Sequence, residues 1–136
     1  MDKIKGTGVA LITPFNEDLS VDYIGLEKLI NHQIEGGIDY LVLMGTTGES
    51  AVLSKSEKQE VIAFCKKIND GRLPIVLGIG GNNTLALVEE IKTTDFTGVD
   101  AMLSVSPCYN KPTQEGIYQH YKMIADCIVQ CSWANG

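Results

Sequence analysis

No stretch of this 136-residue sequence approaches the ~18 consecutive apolar residues of a membrane span. No apolar run follows the charged opening Met1-Asp2-Lys3-Ile4-Lys5-Gly6 either, so neither a membrane segment nor a secretory leader is expected. Positive charge is scarce: 11 Lys and Arg stand against 17 Asp and Glu, a formal net charge of −6. That balance excludes a nucleic-acid partner, which would demand clustered cations. Lys66-Lys67 is the only basic pair, and a solvated helix face accounts for it. Cys65, Cys108, Cys127 and Cys131 contain no CxxC spacing and only two histidines accompany them, so no metal site is expected. Reduced thiols in the cytoplasm are the expectation. Cys127 and Cys131, four residues apart, are the one pair that can meet on a helix.

What is present is an apolar content of 44%, enough to build a core, and an alternation of two hydrophobic periods. Gly8-Val-Ala-Leu-Ile-Thr13, closed by Pro14, predicts a strand buried on both faces. Asp22 to Gly36 comes next, with Ile24, Leu26, Leu29, Ile30 and Ile34 at helical spacing. Tyr40 to Met44 predicts a second strand, and Ser56 to Asn69 a second helix with Ser56 and Gln59 as its capping box. Pro74 to Gly78 and Thr84 to Thr93 form the third pair. Val99 to Val105 and a helix from Gln114 to about Ala125, with Ile117, Tyr121, Ile124 and Ala125 inward, form the fourth. Asp39, Arg72 and Asp100 recur before strands two, three and four. Four βα units imply a parallel sheet, either open and doubly wound or closed as a barrel. The chemically richest segments follow strands two and four, which favours the barrel, whose active sites are built from such loops.

Gly45-Thr46-Thr47-Gly48-Glu49-Ser50 lacks the Gly-Lys-Ser/Thr ending of a phosphate loop. Its two glycines let the backbone turn closely, and its threonines offer N–H groups and hydroxyls suited to a carboxylate. A plain hydroxyl-rich turn is the competing reading. Ser106 to Gly116 is a loop stiffened by Pro107 and Pro112 that presents Tyr109, either as a proton-relaying phenol or as a packing aromatic. Gly78-Ile-Gly-Gly-Asn-Asn83 is read as a tight turn, since Asn83 stands where a dinucleotide fingerprint needs its third glycine.

Together, Gly45 to Ser50, the run Tyr109-Asn-Lys-Pro-Thr-Gln-Glu-Gly116 and Tyr118-Gln-His-Tyr121 resemble the 4-hydroxy-tetrahydrodipicolinate synthase (dihydrodipicolinate synthase) family. The resemblance extends from Gly6 to about Ala125 and includes Gly8 to Pro14 and Gly78 to Asn82. It implies an aldolase-type TIM (β/α)8-barrel. Residues 1–126 would carry about its first four βα units, and 127–136 would be a divergent tail. The implied activity is a lyase of lysine (diaminopimelate) biosynthesis, condensing pyruvate with L-aspartate 4-semialdehyde through a Schiff base on a lysine. Thr47 would contact the pyruvate carboxylate. Thr46 and Tyr109 would be relay hydroxyls, Tyr109 reaching a neighbouring subunit's site in a homo-oligomer, dimer or tetramer. No metal and no cofactor is implied. Ser50 and Asn82 match the family's lysine-inhibition site, whereas Lys55, Lys58, Ala86 and Cys108 replace its usual partners, so lysine is expected to inhibit weakly or not at all.

The relay tyrosine after strand five, the arginine that receives the semialdehyde and the Schiff-base lysine of strand six have no counterpart. Lys111 is a poor substitute, lying in a loop rather than in an apolar strand that would depress its pKa. Cys127 to Gly136 replaces the expected fifth strand, as a frameshifted or misassigned gene end would, and the chain alone is expected to be inactive. A catalytically dead half barrel is one rival reading. A relative of N-acetylneuraminate lyase or of the 2-keto-3-deoxy sugar acid aldolases is another.

Overall fold

A computed structural model describes residues 3–133, with side chains through 128. Four strands and four helices alternate: β1 (Gly8–Ala10), α1 (Tyr23–Glu35), β2 (Tyr40–Leu43), α2 (Lys55–Asn69), β3 (Ile75–Gly78), α3 (Thr84–Thr93), β4 (Ala101–Leu103) and α4 (Gln114–Trp133). The strands are ordered β1-β2-β3-β4 in one sheet. β1 pairs parallel to β2 with Gly8 opposite Tyr40, and β2 to β3 with Leu41 opposite Ile75. Sequential order with parallel pairing decides between the two architectures left open by periodicity. A doubly wound sheet reverses its strand order at a switch point, whereas a barrel steps in one direction around the axis.

The chain forms two compact units: Met1–Gly78 with Gly98–Met102, and Ile79–Thr97 with Leu103–Gly136. In the first, α1 packs on α2 beside the sheet, and Leu26, Ile30, Leu41, Leu43, Val61, Cys65, Ile75 and Leu77 form the core. In the second, α3 packs on α4 through Leu87, Ile91, Ile124 and Cys127.

Helix starts arise from side-chain acceptors that satisfy the orphan amides of a first turn. Asp22 caps α1 by accepting from Gly25 N–H at 2.9 Å, and Asn83 caps α3 by accepting from Ala86 N–H at 3.2 Å. The capping box of α2 is Ser54 with Glu57, not Ser56 with Gln59. Ser54 Oγ accepts from Glu57 N–H at 3.3 Å, and Glu57 Oε2 accepts from Ser54 N–H at 2.8 Å. Both pairs have the same spacing; α2 starts at Lys55, directly after Ser54, and Leu53 just before it is buried.

β1 and β4 are shorter than their apolar runs, with Ile12, Leu103 and Val105 exposed. Ile24 and Leu85, near the helix starts, are also exposed. α4 continues past Ala125 to Trp133. Its buried seam is His120, Ile124 and Cys127, an i, i+4, i+7 stripe, which turns Ala125 out to solvent and leaves Ile117 and Tyr121 half-buried. The side chain of Cys131 lies outside the described residues. So do residues 134–136 of the tail.

Asp39, Arg72 and Asp100 close the turns at the N-terminal ends of the strands. Asp39 Oδ2 accepts from Thr7 N–H at 2.6 Å, and Asp100 Oδ2 accepts from Ile75 N–H at 3.0 Å. Arg72 donates to Ile68 C=O at 2.6 Å and to Asn69 C=O at 3.1 Å. Among the described residues no helix is long and apolar enough to cross a membrane, and no cluster of His, Cys, Asp or Glu is placed to hold a metal ion.

Candidate active site

The sequence places its hydroxyl-bearing residues in loops after strands, and the structure shows how two of those loops are built. After β2 the chain makes a 3₁₀ turn, Thr46–Gly48, closed by Gly48 N–H to Gly45 C=O at 3.0 Å and Glu49 N–H to Thr46 C=O at 3.1 Å. The amides of Thr46 and Thr47 stand ahead of these bonds, and both side chains are exposed, so N–H and hydroxyl donors sit together on one short turn. The glycines serve this turn differently from the sequence expectation. Gly45 has φ −73°, open to any residue, and the left-handed positions are Met44 (φ 57°) and Glu49 (φ 52°) on either side.

Close approach, rather than φ, is what two glycines provide. A Cβ on Gly48 would sit 3.1 Å from Leu11 C=O, and one on Gly78 would sit 2.5 Å from Met44 C=O. The turn is therefore laid against the end of β1 on one side, and the bend that leads into it against β3 on the other. Thr13, 4% exposed, anchors it by donating from Oγ1 to Gly48 C=O at 2.7 Å. Sequence reasoning treats Thr13 as the end of a strand. The available signal is a hydroxyl closing an otherwise apolar run, since a buried polar group needs a partner.

In the second unit, the loop after β4 presents Tyr109, which is 92% exposed with φ 66°. Asn110 N–H donates to Cys108 C=O at 2.8 Å across Tyr109, which closes a γ-turn of the rare, positive-φ kind. Such a conformation costs on the order of 1–3 kcal/mol in a non-glycine residue and persists only when its surroundings hold it. The surroundings are specific. Asn82 Oδ1 accepts from Cys108 N–H at 2.9 Å, Asn82 Nδ2 donates to Cys108 C=O at 3.0 Å, and Tyr121 Oη lies 3.0 Å from Ser106 Oγ at the start of the loop. Thr46 and Thr47 thus share one turn of the first unit, and Tyr109 belongs to the second.

The profile of the Dihydrodipicolinate synthetase family matches residues 3–129. The chain belongs to that family. A 4-hydroxy-tetrahydrodipicolinate synthase of Flavobacterium psychrophilum is 61% identical over 126 residues, covering 93% of this chain and 43% of its own length. One of Parabacteroides distasonis is 58% identical over 123 residues, covering 90% and 41%. Among solved structures, the chloride-inhibited dihydrodipicolinate synthase of Acinetobacter baumannii complexed with pyruvate superposes with a TM-score of 0.86 at 46% identity, over 91% of this chain and 43% of that one. The Aquifex aeolicus dihydrodipicolinate synthase gives 0.83 at 43%, over 91% and 42%. The chain spans about two-fifths of the length of the curated relatives it matches. Its fold is that of the TIM (β/α)8-barrel, of which it carries four βα units.

Within this family frame, no lysine among the described residues lies on a strand. Lys111 is exposed in the loop after β4 at φ 43°. No thiol in the first unit substitutes as a nucleophile either, because burial pushes Cys65 up to about 12, and a thiol that stays protonated is inert. Cys108 is exposed, and Cys127 is buried with its Sγ 3.7 Å from Val88 C=O.

Proposed function

We propose that this chain supplies the carboxylate-binding turn and two relay hydroxyls of a lyase that condenses pyruvate with L-aspartate 4-semialdehyde to 4-hydroxy-tetrahydrodipicolinate, in the lysine (diaminopimelate) pathway. The reading rests on its relatives' named activity and on one observation above others: the Thr46–Gly48 turn after β2, with Thr46 and Thr47 exposed and Gly48 buried and held by Thr13. Thr47 takes the pyruvate carboxylate. Thr46 and Tyr109 pass protons as the covalent intermediate forms and collapses, and the protein works in the cytoplasm as a homo-oligomer in which an exposed Tyr109 reaches a neighbouring subunit. No strand lysine lies among the described residues, so the imine-forming amine comes from outside them, and the 136-residue chain by itself forms no imine.

The test is a chimera joining residues 3–129 to the remainder of the Flavobacterium psychrophilum relative. It condenses the two substrates. Thr46→Val and Tyr109→Phe each lower kcat by roughly 10²–10⁴, the usual span for a lost proton-transfer group, and Thr47→Val raises KM for pyruvate. Undiminished turnover in Tyr109→Phe removes that residue from the mechanism. Borohydride with labelled pyruvate leaves the 136-residue chain unlabelled; a stoichiometric adduct at Lys111 would overturn the assignment of the amine.

A further inference from the structure

We infer that Asn82 is the positioning residue for Tyr109: its carboxamide holds the strained γ-turn that presents the phenol. The inference deepens the proposed function and rests on Tyr109 acting as a relay hydroxyl.

The backbone conformation at Tyr109 does not hold itself. Tyr109 at φ 66° is the centre of a turn closed by one short-range bond, Asn110 N–H to Cys108 C=O at 2.8 Å. Lys111 is next but one at φ 43°, so two non-glycine residues of one loop occupy the left-handed region. An exposed loop with that much backbone strain would relax unless a neighbour over-determined it. Asn82 is that neighbour. Its two amide atoms engage both main-chain polar groups of Cys108, the residue just before Tyr109, at 2.9 and 3.0 Å. Two parallel bonds from one planar group fix orientation as well as distance. The carbonyl that Asn82 grips is also the acceptor that closes the turn, and its second bond polarises it further.

The next two residues in the chain fix Asn82 in turn. Asn83 is the N-cap of α3, and Thr84 Oγ1 meets His120 Nδ1 at 2.8 Å in the packing of α3 on α4. The grip on the loop therefore starts from the capped end of a packed helix. An aspartate at 82 would keep the acceptor for Cys108 N–H and lose the donor to Cys108 C=O, which separates the two halves of the clamp. A glycine at 109 would remove the strain and with it the need for the clamp.

The test is NMR on the 136-residue chain, comparing the parent with Asn82→Asp, Asn82→Ala and the double variant Asn82→Ala/Tyr109→Gly. In the parent, Tyr109 gives the strong intraresidue amide-to-Hα cross-peak of a positive φ, and the Asn110 amide exchanges slowly with water. Asn82→Asp speeds Asn110 exchange by roughly 3- to 10-fold and Asn82→Ala by roughly 10- to 100-fold, for one and two lost hydrogen bonds respectively. The Tyr109 signature is lost in both, while the amides of Leu87 and Ile91 in α3 keep their protection. The double variant regains slow exchange at Asn110. An unchanged Tyr109 signature in Asn82→Ala would overturn the inference, as would Asn110 exchanging freely in the parent. Loss of α3 protection in step with Asn110 also overturns it, because Asn82 then serves the fold and not the turn. The relay reading itself stands or falls separately, on the hydroxyl removed in Tyr109→Phe.

Discussion

Gly78→Ala tests the account of the Thr46–Gly48 turn most directly, because two effects of opposite sign meet at one atom. Replacing glycine by alanine at a φ that alanine can adopt removes unfolded-state freedom and stabilises by about 0.4–1 kcal/mol. At Gly78, however, the new Cβ would lie 2.5 Å from Met44 O, 2.8 Å from Met44 C and 3.0 Å from Gly45 N, all main-chain atoms with no rotamer to yield. Overpacking of this kind costs about 1–3 kcal/mol. The net expectation is a loss of roughly 1–2 kcal/mol, which for a chain of this size lowers the thermal midpoint by roughly 3–10 °C. Gly45→Ala is the internal control: a Cβ there meets nothing within 4 Å, so the entropy effect stands alone and the variant is as stable as the parent or slightly more so. Thermal denaturation followed by circular dichroism at fixed concentration reads both. Equal midpoints for Gly78→Ala and the parent would show that β3 does not crowd the bend after β2. An equal loss in both variants would show that the glycines matter for a reason other than close approach.

Four further outcomes are expected. Ser54→Ala destabilises by about 0.5–2 kcal/mol by removing the cap of α2, whereas Ser56→Ala leaves chemical-denaturation midpoints unchanged; the reverse ranking would restore the box read from spacing. Hydrogen bonds from the Ser54 side chain and backbone hold the Glu57 carboxyl below its ordinary 4.5, so its contribution is full above that pH and fades as pH falls through the lower folded value. Carbon-detected titration of Glu57 should therefore show the pKa rising toward 4.5 in Ser54→Ala. With a thiol reagent at neutral pH, Cys108 reacts promptly while Cys65 and Cys127 react only on unfolding; prompt modification of Cys65 would contradict its burial. Lysine titrated against the chimera at fixed pyruvate inhibits weakly or not at all, and submillimolar inhibition would show that Lys55, Lys58, Ala86 and Cys108 do not govern that response.

The order and kind of the elements were legible in the residues alone, because burial on one helical stripe or in a parallel sheet leaves a pattern that local residues carry. α3 begins and ends where its apolar spacing predicts, and the structure adds Asn83 as its cap. The loops after strands two and four stood out in the sequence, but their residues alone fitted a hydroxyl-rich turn and a packing aromatic as well as a chemical site, and only the family resemblance gave Thr46, Thr47 and Tyr109 their expected roles. Choices between local options of equal merit were settled by packing. Ser54 and Ser56 offer the same capping spacing, and the structure uses Ser54. The seam of α4 shifts to His120, Ile124 and Cys127 because α3 packs there, a fact that α4's own periodicity does not contain. In the sequence Thr13 and Gly78 read as a strand end and a turn glycine, and Asn82 as a turn residue matching the family's lysine-inhibition site. Each acquires its role from main-chain atoms 26 to 35 residues away, at Gly48, Met44 and Cys108. Hydrogen bonds and close approaches between distant segments leave no periodicity in the chain, so the supports of the two hydroxyl-bearing loops became visible only when the strands and helices were brought together.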